Sequence, residues 1–265
     1  MIAAMPSVDL NCDVGESFGA WALGADAEVL AHVSSANIAC GFHAGDPATM
    51  RRTVDLAIER GVAIGAHPGL PDLAGFGRRV IEVTPDEVYE MIVYQVGALA
   101  AFAGAQGARL AHVKPHGALY NMAATRAPLA DAIARAVRDV DRDLMLFGLA
   151  GSKLVASAQS AGIAAVEEVF ADRRYAADGT LVPRNTPGAV IDDTPAAVRQ
   201  AVRMVHERVV TAIDGTEVPV RAGTICIHGD TPGAAEHARA LRIALRDAGI
   251  DVAAPRRAAA PPQQR

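Results

Sequence analysis

The chain has 265 residues, 51% of them hydrophobic and 21% charged, and a net charge of −5 from 25 basic and 30 acidic side chains. That supplies enough apolar material for a sizeable core and too little charge for a disordered chain. No dense basic run or aromatic ladder points to nucleic acid, and no stretch approaches the roughly 18 uninterrupted apolar residues of a membrane span.

Aromatics make up only 4% of the chain, so Ala, Val, Leu and Ile must fill the interior, which favours helices packed closely on a sheet. Cys12, Cys40 and Cys226 lack CxxC spacing and fit buried thiols in a reducing compartment. The residues before Asp9 carry no basic region followed by a long apolar core, so the expected location is cytoplasmic.

Strand, polar turn and helix then alternate. VDLNCD (8–13) reads as the first strand and SSANIAC (34–40) as the second. In GFHAGDP, Asp46 caps a helix with Pro47 at its first position, and Met50, Val54, Leu56, Ala57 and Ile58 form its inward stripe. GVAIGAH (61–67) is the third strand. TPDEV (84–88) opens a helix running to about Ala105, with Thr84 and Glu87 forming a capping box. RLAHVK (109–114) is a strand, followed by a helix from Pro128 to Val140. DLMLFGL (143–149) is the next strand and SKLVASAQSAG (152–162) a helix ended by glycine. IAAVEEVF (163–170) is a strand, TPAAVRQAVRMVHERV (194–209) a helix, TICIHGD (224–230) the last strand and residues 232–249 the last helix.

These seven strand candidates, with helices between and no dinucleotide glycine fingerprint, favour an irregular seven-stranded (β/α) barrel over an open doubly wound sheet. Residues 1–254 are read as one barrel domain. The tail PRRAAAPPQQR (255–265) is expected to be disordered, because it has nothing to bury.

Nearly every strand ends in polar residues, and in a parallel α/β fold those ends gather on one face. NCDVGES offers Asn11, Asp13 and Glu16; GFHAGD offers His43; GAHPGLPD offers His67 and the weaker Asp72; GFGRR offers Arg78 and Arg79. HVKPHGALYN is the densest motif. Strand alternation points His112 and Lys114 to the same side, and Pro115 then turns the chain into His116. A buried lysine needs a carboxylate or the substrate beside it, whereas His112 reads as a satisfied core histidine. Glu167, Arg173 and Tyr175 form a looser set, HGD adds His228 and Asp230, and His206 and His237 read as solvent-facing.

Metal binding is chemically open to Asp13, His43, His67 and His116, although no HExxH pair fixes a site. There is no GxGKS/T phosphate loop and no GxSxG elbow. What survives is acid–base or electrostatic chemistry on a small polar molecule.

Taken together, NCDVGESFG, SSANIACGFHAGDP, GAHPGLPD with GFGRR, VKPHGALYN, EVFADRRY with DGTLVPR, and HGD resemble the LamB/YcsF family, over about Val8 to Asp251. The resemblance implies a barrel of the glycoside hydrolase/deacetylase superfamily. It also implies cytosolic, ATP-dependent hydrolysis of the lactam of 5-oxo-L-proline to L-glutamate, performed with 5-oxoprolinase subunits B and C. Those partners would supply the nucleotide site, with ATP consumed and a divalent metal such as Mg as its companion. A homo-oligomer stays open.

Carried onto this chain, the family pattern marks Asp13, His43, His67, Lys114 and His116 as pocket residues. Our reading of roles gives Asp13 or His67 the orientation of water, His116 the proton transfer and Lys114 the developing negative charge. Asn11, Glu16, His43, Arg79 and Arg173 are assigned to substrate binding, with Arg79 or Arg173 on its carboxylate. Replacing Lys114 by alanine is expected to leave the fold intact and lower turnover. Two other readings remain: a stand-alone metal-dependent deacetylase or amidohydrolase, and a non-catalytic metabolite-binding subunit.

Overall fold

The computed structural model describes residues 6–227 and 233–256. In chain order the elements are β1 (Ser7–Val14), α1 (Asp26–Val29), β2 (Ser35–Ala39), α2 (Pro47–Arg60), β3 (Ala63–His67), α3 (Pro85–Ala105), β4 (His112–Val113), α4 (Gly117–Thr125) and α5 (Ala127–Val140). They continue with β5 (Met145–Leu149), α6 (Lys153–Ser160), β6 (Ala164–Phe170), α7 (Thr194–His206), β7 (Val209–Thr211), β8 (Glu217–Pro219), β9 (Thr224–Ile227), α8 (Ala234–Asp247) and β10 (Asp251–Val252).

Strands β1, β2, β3, β4, β5, β6 and β9 pair in parallel in that order, and β9 pairs back with β1 to close a seven-stranded barrel. β10 pairs with Ser7 and Val8, below the residues of β1 that meet β9. All seven expected strands are present, and the barrel belongs to the expected fold class. Expected strand RLAHVK shrinks to His112–Val113, because Pro115 has no N–H to extend the ladder.

The predicted caps are the ones the chain uses. Asp46 Oδ1 accepts from Thr49 N at 2.8 Å, and its Oδ2 accepts from Gly19 N at 2.7 Å, tying the loop after β1 to the start of α2. Thr84 and Glu87 form the reciprocal capping box of α3. On α2, Met50, Val54 and Ala57 are buried, but Ile58 is exposed, at the edge of the apolar stripe rather than in it. By length and composition α3 could cross a membrane. Here it lies against α2, α5 and β3, with Asp86 and Glu87 in its first turn.

Several elements depart from the sequence reading: α1, α4, β7, β8 and β10 were not expected, and α7 is shorter than expected. The helix expected to reach Val209 ends at His206, and Arg208 adopts a positive φ of 57° that no helix continues. Val209–Thr211 instead pairs antiparallel with Glu217–Pro219 around Asp214-Gly215, a turn pair that itself signals a hairpin. Helix α4 was not expected, since it begins directly after the Pro115–Gly117 turn.

Inside the barrel the filling is polar. Asp9, Asn11 and Asp13 alternate along β1 with the apolar Val8, Leu10, Cys12 and Val14. Asp9 accepts from Ser34, Ser35 and Thr224 hydroxyls at 2.6–2.8 Å. One level up, Asn11 Nδ2 donates to Glu168 Oε1 (2.9 Å) and Thr224 Oγ1 (2.7 Å), and its Oδ1 accepts from Asn37 Nδ2 (2.6 Å). His112 Nε2 sits 2.7 Å from Asn37 Oδ1, and the His112 ring stacks on Phe147 at 4.0 Å between centroids. His112 is thus a buried core histidine as expected, satisfied at Nε2, while its Nδ1 has no hydrogen-bond partner among the described residues.

Gly65 makes that stack possible: a Cβ there would lie 2.0 Å from His112 Nε2. Gly65→Ala should therefore push the imidazole off Asn37 and lower stability by about 1–3 kcal/mol, read by denaturant unfolding.

Burial pushes the Asp9 carboxyl up to about 6, against the opposing pull of its Ser34, Thr224 and Ser35 hydrogen bonds. Its folded value is raised above the unfolded one, so the associated stability is fully present below the unfolded value and is lost as pH rises through about 6. Between about pH 7 and pH 4 the wild type should gain about 2 kcal/mol relative to Asp9→Asn, whose side chain does not titrate. Parallel unfolding curves of the two proteins at both pH values measure it.

Candidate active site

At the carboxyl ends of the strands a cavity of about 670 Å³ opens, walled by Asp13, His67, Lys114, His116, Tyr120, Phe170 and Arg173 among others. Lys114 is its electrostatic centre. Its Nζ lies 2.9 Å from Asp13 Oδ1, 2.9 Å from Glu168 Oε1, 3.2 Å from Asn11 Oδ1 and 3.0 Å from Cys226 Sγ. Burial alone would pull this ammonium down, but Asp13, Cys226 and Glu168 hold it well above the usual lysine range. Lys114 is therefore a fixed cation.

Asp13 links that cation to the histidines. Its Oδ1 accepts from Lys114 and from Asn37 Nδ2 (2.9 Å), while Oδ2 is 3.3 Å from His67 Nε2. His67 Nδ1 lies 2.7 Å from the Lys114 carbonyl, His116 Nδ1 lies 2.9 Å from His67 Nε2, and His116 Nε2 lies 2.8 Å from the Phe76 carbonyl. Behind them His43 stacks on His116, with centroids 3.8 Å apart, and its Nε2 is 3.4 Å from Glu16 Oε1.

Burial, reinforced by neighbouring imidazoles, holds His43 and His116 well below the usual histidine range. Neutral imidazole is the form that binds metals. Glu16, His43, His67 and His116 present donor atoms all within 4.8 Å of one another, a buried cluster that can coordinate a divalent metal. The donor set thus fits a metal, with Glu16 in the cluster where the sequence reading had placed Asp13.

Glycines create this crowding. A Cβ at Gly69 would lie 2.6 Å from His43 Nδ1, and one at Gly77, where φ is +62°, 2.7 Å from His43 Cβ and 2.9 Å from His116 Cδ2. Both therefore let the loop after β3 close over the histidines.

The family model for LamB/YcsF matches residues 8–260. The chain belongs to the LamB/YcsF family. It is 59% identical over 249 residues to the A component of 5-oxoprolinase from Bordetella pertussis, covering 94% of this chain and 99% of that one. It is similar to a lactam utilization protein from Thermus thermophilus, with a TM-score of 0.88, 52% identity and coverage of 93% and 99% of the two chains. An Enterococcus faecalis protein named for cellobiose-phosphate cleavage shares the fold at 16% identity and a TM-score of 0.56, with coverage of 94% and 97%.

In this LamB/YcsF chain the cavity wall takes up Asp13, His67, Lys114, His116 and Arg173 from the residues singled out in the sequence. Asn11, Glu16 and His43 lie behind it. Asn11 is fully enclosed beneath Lys114, which corrects its assignment to direct substrate contact. The exposed Arg79 guanidinium is bound by the Asp72 carboxylate outside the cavity wall, which Arg78 lines. Arg173 is buried, its guanidinium donates to the Val182 carbonyl at 2.6 Å, and its Nε has no hydrogen-bond partner among the described residues. Burial, with Arg184 nearby, lowers it to about 10, still protonated at neutral pH.

Glu168 and Asn37 were missed. Strand alternation turns Glu168 inward and sends its neighbour Glu167 to the outside, 4.0 Å from Arg221. Tyr175 is a staple, its hydroxyl accepting from Phe170 N at 2.7 Å. His206 is exposed as expected, whereas His237 is half-buried beside Thr194. His228 and Asp230 lie outside the described residues, as does most of the expected tail.

Proposed function

We propose that this chain is the ring-opening component of an ATP-dependent 5-oxoprolinase, converting 5-oxo-L-proline to L-glutamate with subunits B and C. The observation that carries the reading is one cavity holding an acid–base set, Asp13, His67 and His116, opposite a fixed cation, Lys114, and a buried Arg173. The identity to the Bordetella pertussis 5-oxoprolinase component supports the choice of substrate, and the standing of that relative as one subunit among others supports partners.

A five-membered lactam is an unactivated amide. Transfer of the terminal phosphoryl group of ATP to its carbonyl oxygen releases ADP and makes the ring carbon electrophilic. We assign that step to the partners, because this chain carries no phosphate-loop motif. ATP and its Mg would sit there.

Water then adds to the ring carbon, its proton passing to Asp13 or, through it, to His67. A proton returns through His116 to the ring nitrogen as the C–N bond breaks. The resulting acyl phosphate takes up a second water, giving glutamate and inorganic phosphate. Lys114 faces the negative charge that develops on oxygen. A metal held by Glu16 and the histidines would add Lewis-acid polarisation.

Arg173 holds the substrate carboxylate in this reading. The test is discrimination by the assembled complex supplied with ATP. A carboxylate-free ring, 2-pyrrolidone, should lose about 10–100-fold in kcat/KM against 5-oxo-L-proline, the worth of a charged hydrogen bond. Arg173→Met should cost 5-oxo-L-proline the same factor and leave 2-pyrrolidone unchanged. Hydrolysis of N-acetylated sugars without ATP, in place of lactam turnover, would replace this reading with deacetylation.

A further inference from the structure

The cavity wall runs against the charge of the chain as a whole. The protein carries a net charge of −5. Among the described residues, the cavity is lined by four cations, Arg78, Lys114, Arg173 and Arg184, and by two carboxylates, Asp13 and Asp178. Lys114 and Asp13 offset each other at 2.9 Å. Asp178 is exposed and accepts from Thr180 N at 2.9 Å and Thr180 Oγ1 at 2.7 Å, within its own loop. Three arginines therefore set the field of the open space, and a cleft lined by one sign of charge concentrates ions of the other.

The arginines stand at different depths. Arg173 is enclosed, with its Nε lacking a hydrogen-bond partner among the described residues. Arg184 is half-buried and, after burial itself, is the largest influence lowering Arg173. Two neighbouring guanidiniums repel each other, and an anion between them turns that cost into attraction. The backbone holds the arrangement in place. Val182 N donates to the Arg174 carbonyl at 3.0 Å, and Thr186 N to the Pro183 carbonyl at 2.9 Å, folding residues 180–185 along the cavity. Arg78 is exposed, with its guanidinium 4.8 Å from the Phe76 ring centroid. That ring meets His116 edge to face at 5.2 Å, so Arg78 stands one ring away from the group assigned to proton transfer.

We infer that this cavity takes its substrate already phosphorylated, with the carboxylate on Arg173 and the phosphoryl group on Arg184 and Arg78. On the ring-opening reading, on which this rests, the carboxylate of the lactam needs one cation. A phosphoryl group adds up to two negative charges and three acceptor oxygens, which guanidinium forks match. Arg78 and Arg184 are the more exposed two, which suits a group that the partners install. The volume agrees. About 670 Å³ lies in the range of about 300–1,000 Å³ that houses drug-sized ligands, more than one five-membered ring with a carboxylate fills.

Inorganic phosphate is the probe for the full chain alone, titrated by isothermal heats with acetate as the control. One phosphate should bind per chain, about 10–100-fold tighter than acetate, and Arg184→Gln and Arg78→Gln should each weaken it about tenfold. The assembled complex with ATP gives a second readout. Arg184→Gln should cost 5-oxo-L-proline and 2-pyrrolidone the same factor of about 10–100 in kcat/KM, because both lactams would carry the phosphoryl group. Arg173→Met, by contrast, penalises only the first. Arg184→Gln should also raise ADP formed per glutamate above one, as phosphorylated lactam escapes and water returns it to lactam and inorganic phosphate. A merely structural loss lowers both products together and leaves that ratio alone. Should a variant unfold, the comparison with acetate still decides on the wild type. Phosphate binding no tighter than acetate, binding unchanged in both folded variants, or a wild-type ratio and kcat/KM in the Arg184→Gln complex would each overturn the inference. No glutamate from a wild-type complex whose A chain binds phosphate as expected would strike the ring-opening reading and keep the anion site.

Discussion

Lys114→Met is expected to destabilise the protein by about 3–5 kcal/mol and to abolish glutamate formation, because it leaves two carboxylates facing each other in a dry interior. This replaces the simpler sequence expectation that losing the Lys114 side chain spares the fold. Asp13 and Glu168 each approach the ammonium at 2.9 Å, and Glu168 is completely enclosed. Removing only the cation forfeits both attractions and retains both desolvation costs. Adding Glu168→Gln should restore part of the stability, since one charge then disappears with its partner. Denaturant unfolding of the two single variants and the double variant measures this coupling. A single Lys114→Met variant as stable as the wild type would show that water or relaxation already screens the pair.

Asp13→Asn is expected to lower kcat in the assembled enzyme by about 10²–10⁴-fold while KM for 5-oxo-L-proline changes only a few-fold. The amide is nearly isosteric and keeps an oxygen for Lys114 and Asn37, so the scaffold should persist. What it loses is the ability to take a proton, and it places an NH2 against His67 Nε2 where the carboxylate stood at 3.3 Å. A kcat within a few-fold of the wild type would remove Asp13 from the water-activating role and leave His67 to fill it. Parallel variants at Glu168 separate the two carboxylates: Glu168 reaches the cavity through Lys114, so Glu168→Gln acts by misplacing the cation.

Much of this architecture could be read from the chain because its signals are local. Short apolar runs broken by glycine or proline located all seven barrel strands, and Asp46 and Thr84 announced their helices through side-chain chemistry that needs no distant partner. Lys114 and His116 stood out because a cation and an imidazole beside a proline-terminated strand have few structural reasons to be there.

The misses share one cause: they depend on rotational phase or on contacts across the barrel. In AAVEEVF both glutamates have a valine neighbour, so composition gives no phase. Only pairing with β9 and β5 shows that Glu168 faces inward. Asn37 sits within an apolar strand and acquires its meaning only from Asn11, Asp13 and His112 on two other strands. Arg78 and Arg79 are adjacent, and Asp72 claims the second through a loop with left-handed residues at Phe76 and Gly77. The helix was carried three residues too far, to Val209, into the first strand of the hairpin that turns at Asp214-Gly215.

The measurement that tests the central claim most directly follows glutamate and ADP together, from 5-oxo-L-proline and ATP. It uses this chain with subunits B and C, and then omits each protein in turn. The account predicts glutamate only when all three are present, with one ADP formed per glutamate and no glutamate when this chain is left out. Undiminished glutamate formation by subunits B and C alone would contradict it.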